Sequence, residues 1–96
     1  MLRLSIREDN EKNYTYIKEE PTWGPLRLVF DNNEEILQNF MFIGAVRLYN
    51  GNVVHLYKNK ITRNHINIDN DGNTFAYDNV NYNSTPQSVA KEKVLG

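Results

Sequence analysis

The chain has 96 residues, with 11 basic and 12 acidic side chains giving a net charge of −1, and no cysteine. That length suits a single domain with one core, which buries proportionally less surface than a larger domain would. The lack of cysteine excludes a disulfide framework, a thiolate nucleophile and a cysteine-based zinc site.

The longest apolar run, Phe40 to Val46, falls far short of the roughly twenty residues that span a bilayer. The opening "MLRLSIRED" has no apolar h-region, so no membrane association and a cytoplasmic protein are expected. The charges are sorted along the chain. Between Glu8 and Glu35 acids outnumber bases eight to three, whereas between Ile36 and Ile68 stand Arg47, Lys58, Lys60 and Arg63 with no acid. Neither block reaches the density of a polybasic tract, so mutual neutralisation of neighbouring strands is favoured over a dedicated anion-binding surface. Asparagine is very frequent, beside many Lys, Ile and Tyr and few Ala. An AT-rich coding sequence gives that pattern, as in a low-GC bacterium or a phage or mobile element living in one. Asn13-Tyr14-Thr15 and Asn83-Ser84-Thr85 match glycosylation acceptors, a coincidence expected where asparagine is so common.

Taken in chain order, strand-like alternation dominates. Leu2, Leu4 and Ile6 share one face of "LRLSIR", and Tyr14 and Tyr16 share one face of "NYTYIK"; the polar stretch between them predicts a hairpin. Pro21, Gly24 and Pro25 interrupt the pattern, and "LRLVF", Leu26 to Phe30, resumes it as a third strand. One short helix is expected near residues 32–41. Asp31 and Glu34 form a capping-box pair, Glu34 and Glu35 suit the positive end of the dipole, and Ile36, Leu37, Phe40 and Met41 line one side.

"IGAVRLY" and "NVVHLYK" then read as a hairpin joined at Asn50-Gly51-Asn52, with Leu48 opposite Val54 and Val46 opposite Leu56. In "ITRNHINID" no loop length keeps every apolar residue on one side, so a bulge or burial on both faces is required. The domain proper is read as residues 1–83. Residues 84–96 form a tail or a short helix, capped by Thr85 with Pro86 at its first position.

"INIDNDGNTFAYD", Ile66 to Asp78, resembles a calcium loop in its spacing. Asn67, Asp69 and Asp71 take alternate positions, Gly72 the turn and Asp78 the closing carboxylate. The flanks, however, are β-branched and aromatic rather than helical. A hairpin turning at Asp71-Gly72 is therefore preferred, with Ile68 opposite Phe75, Ile66 opposite Tyr77, and Asp69 and Asp78 outside. No metal site and no cofactor are expected.

No nucleophile elbow, phosphate-binding glycine loop or H-x-x-x-H pair is present, so an enzyme is not expected. If Val46, Leu48, Val54 and Leu56 face the core, then Arg47, Tyr49, His55 and Tyr57 share the outer face, with Arg63 nearby. Tyr and Arg supply much of the energy at protein interfaces and can also stack on bases and contact phosphates. Trp23, in "PTWGP", is read as a plug for the core.

The expected fold is α+β, mainly an antiparallel sheet forming a small barrel or sandwich with one short helix. The expected function is a protein-binding module of inhibitor or adaptor type, acting by occupancy of a protein partner. Nucleic-acid or nucleotide binding through the basic aromatic face is the alternative, and a self-associating structural subunit the third.

Overall fold

The computed structural model describes residues 12–96. The run Leu2 to Arg7 and its hairpin lie outside the described residues. Among the described residues six strands form one antiparallel sheet in sequence order: β1 (Tyr14–Ile17), β2 (Phe40–Leu48), β3 (Val53–Asn59), β4 (His65–Asp69), β5 (Thr74–Tyr77) and β6 (Tyr82–Thr85). Three short helices accompany it among the described residues: α1 (Gly24–Val29), α2 (Glu34–Leu37) and α3 (Gln87–Leu95). The fold is α+β and mainly β, the sheet curling into a half-barrel.

"LRLVF" is helical, not a third strand. Leu26, Val29 and Phe30 are buried while Leu28 is exposed, which is the i, i+3, i+4 spacing of a helix. Five residues satisfy both periods. Pro25 sits in the first turn, where its fixed φ and missing N–H cost nothing, and tips the balance. The helix expected near residues 32–41 is shorter and capped elsewhere. Asp31 and Asn32 adopt left-handed φ values of 51° and 57° in the turn that ends α1, so neither caps the next helix. Asn33 does so instead, its side-chain oxygen accepting from the N–H groups of Glu35 and Ile36 at 3.1 and 3.4 Å. Phe40 and Met41 belong to β2, whose pairing with β3 claims them before a longer helix can form. An Arg27–Glu34 ion pair at 2.7 Å ties α1 to α2.

Both hairpin registers differ from expectation for one reason. In the β2–β3 hairpin the loop is Tyr49-Asn50-Gly51, and Leu48 N–H donates to Asn52 O at 2.8 Å. Gly51 stands third in the loop with φ +94°, which places Val46 opposite Val54 rather than opposite Leu56. A three-residue loop of this kind needs its left-handed residue last, and glycine takes that position at least cost. The β4–β5 turn repeats the arrangement. Asn70-Asp71-Gly72 is the loop, Gly72 has φ +89°, and Asp69 N–H donates to Asn73 O at 2.9 Å. The slip there is one residue, so Phe75 lies opposite Asn67 and Thr74 opposite Ile68. A one-residue slip exchanges faces: Phe75 leaves the face of Ile66 and Ile68, and Asp69 turns inward to 2% exposure.

β4 is buried on both faces, as its mixed pattern required. The bulge lies in β2, between Phe42 and Gly44. On the convex face, Tyr57, Ile66, Ile68 and Phe40 pack beneath Leu26, Val29 and Phe30 of the α1 region, Leu37 of α2, and Ala90 and Val94 of α3. On the concave face, Tyr14, Val46, Leu48, Val54, Leu56, Phe75 and Tyr82 form a second cluster. That side chains of the first and last strands meet there identifies it as the inside of the curl. The boundary expected after residue 83 falls within β6, and α3 is part of the core. Pro86 is the residue preceding the first turn of α3, one position later in role than Thr85 was expected to supply.

Candidate functional site

The alternation that set Val46, Leu48, Val54 and Leu56 on one face holds, but the opposite face is not free. The segment between β1 and α1 crosses it. Tyr57 is fully buried, its hydroxyl donating to Thr22 O at 2.7 Å and its ring lying 5.7 Å from Trp23 and 5.8 Å from Phe42. Burial, and then the nearby Glu19 carboxylate, push its phenol well above the usual tyrosine range. His55 is 2% exposed, with Nε2 2.9 Å from Asn70 Oδ1. Its Nδ1 lies 3.2 Å from a Glu19 carboxylate oxygen, out of line for a hydrogen bond. Trp23 is half-exposed and lies over Tyr57 and Phe42 as a partial plug.

Arg47, Tyr49 and Arg63 are exposed, on β2, in the β2–β3 turn and in the β3–β4 loop respectively. Arg47, Tyr49, His55, Tyr57 and Arg63 therefore do not make one surface. The reason is that the sheet carries helices on the face that alternation alone assigned to solvent.

The calcium-like segment is a hairpin, and its carboxylates serve separate turns. Asp69 Oδ1 accepts from the N–H groups of Asp71 and Asn73 at 2.9 and 2.8 Å. Its Oδ2 accepts from the side-chain amides of Asn52 and Asn73 at 2.9 and 3.1 Å. Burial raises the Asp69 pKa, but those hydrogen bonds outweigh it and hold the carboxyl below its usual range. Asp78, in the β5–β6 turn, accepts from Asn81 and Val80 N–H, which likewise lower its pKa.

The concave face holds an open cleft of about 470 Å³. Three features of the sequence build it. Asn13, just before β1, reaches Tyr82 at the start of β6 and closes one end of the curl: its Nδ2 donates to Tyr82 O at 2.8 Å and its Oδ1 accepts from Tyr82 N–H at 3.1 Å. The β2 bulge adds Ile43 to the rim. A two-residue turn at Asn79-Val80, with Asn79 at φ 81°, places Tyr77 directly opposite Tyr82.

One end of the cleft is tyrosine. The Tyr77 and Tyr82 rings stack at 4.6 Å, Tyr14 meets Tyr82 edge-on at 4.9 Å, and the Tyr14 and Tyr77 hydroxyls lie 3.1 Å apart. That hydroxyl contact, followed by burial, raises the Tyr14 phenol pKa, and burial with neighbouring tyrosines pushes Tyr82 up to about 12. The rim is exposed and largely apolar: Tyr16 is 71% exposed, Ile43 51% and Tyr77 42%. Leu56 forms part of the lining, beside Asn67, whose side chain donates to Phe75 O at 3.0 Å. The other end carries Arg63, His65 and Lys93, with Lys58 opposite His65 in the ladder. Partial burial and then the Lys58 ammonium lower the His65 pKa.

Of the residues expected from sequence, Arg63 and the buried Tyr57 line the cleft, and Arg47, Tyr49 and His55 do not. Tyr16, Ile43, Tyr77 and Tyr82 were not singled out as a site. The available signal was the concentration of tyrosine at the two ends of the strand series, Tyr14 and Tyr16 against Tyr77 and Tyr82. Among the described residues no helix is long and apolar enough to cross a membrane. No protein family, curated protein or solved structure matches the chain significantly.

Proposed function

We propose that this protein is a small, non-enzymatic, cytoplasmic binding module that acts by occupying a protein partner, with the concave cleft as its docking surface. The observation that carries this reading is the rim of Tyr16, Ile43 and Tyr77, three large exposed side chains around one concavity. Exposed apolar groups gathered around a concave surface are the usual mark of a contact site, and tyrosine contributes large area at low entropic cost. The two histidines do other work: His55 is packed between Asn70 and Glu19, and His65 stands opposite Lys58. An inhibitor or adaptor of phage or mobile-element origin is consistent with the asparagine-rich composition.

The test is affinity purification from the cells that carry the gene, comparing the native chain with Ile43→Asp, Tyr16→Ala and Tyr49→Ala. Ile43→Asp and Tyr16→Ala should lose the co-purifying protein while keeping the native melt, and Tyr49→Ala should retain it. Undiminished recovery with Ile43→Asp and Tyr16→Ala sinks the assignment of the cleft.

A second reading has an observation behind it. Tyrosine rings at one end and Arg63 and Lys93 at the other also suit stacking on bases with contacts to phosphate. Oligonucleotide affinity that falls steeply with added salt would favour it over a protein partner.

A further inference from the structure

We infer that the segment held in the cleft is acidic, with an apolar or aromatic side chain among Tyr16, Ile43 and Tyr77 and its carboxylates against Arg63 and Lys93. This rests on the docking surface proposed above and adds the chemistry of the occupant. Charge complementarity carries it. Among the described residues the cleft is lined by Arg63, His65 and Lys93 and by no carboxylate. Lys58, opposite His65, adds to the positive field at that end. The ion pairs among the described residues are Arg27–Glu34 and His55–Glu19, and Arg63, Lys93 and Lys58 have no acidic partner among those residues. The acid-free stretch between Ile36 and Ile68, which sequence alone assigned to neutralisation by a neighbouring strand, supplies Lys58 and Arg63 to this end. Burial first, and then the Lys58 ammonium, lower the His65 pKa, so the Lys58 charge acts on this end of the cleft.

A nucleic acid is disfavoured by the arrangement. The basic groups are confined to one end, not spread along a track, and Ile43 and Leu56 place aliphatic surface where a base would need a ring or a polar edge. Opposite charges at a rim also steer encounter and exclude wrong partners, so an acidic segment gains specificity as well as affinity.

The experiment is fluorescence anisotropy on the full chain with three labelled probes. Two are short peptides with the same alternating Phe and Leu pattern, one carrying Glu and the other Lys between them; the third is an oligothymidylate. The Glu peptide should bind about tenfold tighter than the Lys peptide, the gain expected from two or three rim ion pairs. The double variant Arg63→Glu/Lys93→Glu should reverse that order, and Arg47→Glu, on the other face, should leave it unchanged. Because Arg63 has φ 69°, the single variant Lys93→Glu serves if the double variant melts early; the Lys93 side chain makes no hydrogen bond among the described residues, and the change should halve the preference or more. Equal binding of the two peptides, no binding of either at millimolar concentration, a preference undiminished by Lys93→Glu, or tighter binding of the oligothymidylate overturns the inference. If Ile43→Asp abolishes protein capture from cells while the peptides show no charge preference, the acidic occupant fails and the docking surface stands. If Ile43→Asp changes neither, both fall.

Discussion

The side-chain amide of Asn13 pairs with both main-chain polar groups of Tyr82, taking the place of a missing strand partner across the seam between β1 and β6. The N–H of Asn13 also donates to Asn81 Oδ1 at 2.8 Å. Few other side chains match two peptide groups at once: aspartate accepts but does not donate, and alanine does neither. Asn13→Ala should therefore cost about 1–2 kcal/mol in urea unfolding. Asn13→Asp should cost at least as much above the aspartate pKa, because its carboxylate would face the Tyr82 carbonyl. A loss below a few tenths in both variants would show that the seam is held by the tyrosine rings alone.

Asp69 makes the acid limb of the stability profile predictable. Its carboxyl is held below the ordinary value of 3.8 in the fold, so the unfolded chain binds more protons at acid pH than the native one does. Its contribution is complete above the unfolded pKa and is lost as pH falls through the folded pKa. Asp78 is shifted in the same direction and steepens the same limb. Asp69→Asn should flatten the fall in stability below about pH 4. At neutral pH it should cost about 2–3 kcal/mol, because an amide NH₂ would oppose donors that now point at an oxygen. Denaturant titrations at a series of pH values compare the two slopes, and parallel curves would remove Asp69 from the account.

The third-place glycines carry the registers. Neither Gly51 nor Gly72 has neighbours closer than ordinary contact, Leu28 Cδ1 at 3.7 Å from a Cβ at Gly72 being the nearest. A substitution is therefore resisted by φ and not by space. Gly51→Ala and Gly72→Ala should each cost about 1–2 kcal/mol, and Gly51→Asn distinctly less than Gly51→Val, since asparagine tolerates left-handed backbone and a β-branched residue does not. Equal losses for Asn and Val would contradict the turn assignment.

Tyr57 anchors the segment that crosses the convex face through its bond to Thr22 O. Trp23 is the single tryptophan and packs on the same ring, so its emission reports on that anchor. Tyr57→Phe should lower stability by about 1 kcal/mol and shift the emission to the red. An unchanged spectrum would mean that the segment is held by Trp23 alone.

The parity of the strands was readable from alternation: Val46, Leu48, Val54 and Leu56 do share a face, and Tyr14 shares it with them. Their partners across the ladder were not, because a turn containing Asn-Gly-Asn or Asp-Gly-Asn fits two or three registers until the place of the glycine is fixed. Leu26 to Phe30 was too short to separate a period of two from one of 3.6. The misplacement of His55 and Tyr57 follows from that error, since a strand at Leu26 to Phe30 would have left the convex face bare and a helix there covers it. The cleft brings Ile43 and Tyr82 to one lining and is closed by the Asn13–Tyr82 pairing, and no local pattern encodes a contact across 69 positions.

That separation sets the order in which the molecule assembles. Each strand pairs with its neighbour in the chain. From β2 to β6 the pairs are hairpins that close short loops and can zip onto one another, and β1 joins β2 across the connection that holds α1 and α2. The seam between Asn13 and Tyr82 is the exception, closing only after the whole sheet stands between them. The tyrosine wall of the cleft is thus the last part of the sheet to form and the first to open, and an occupant that touches both Tyr16 and Tyr77 fastens the curl from within. Amide exchange at Tyr82 should slow most when the partner binds, while the β3–β4 ladder changes little.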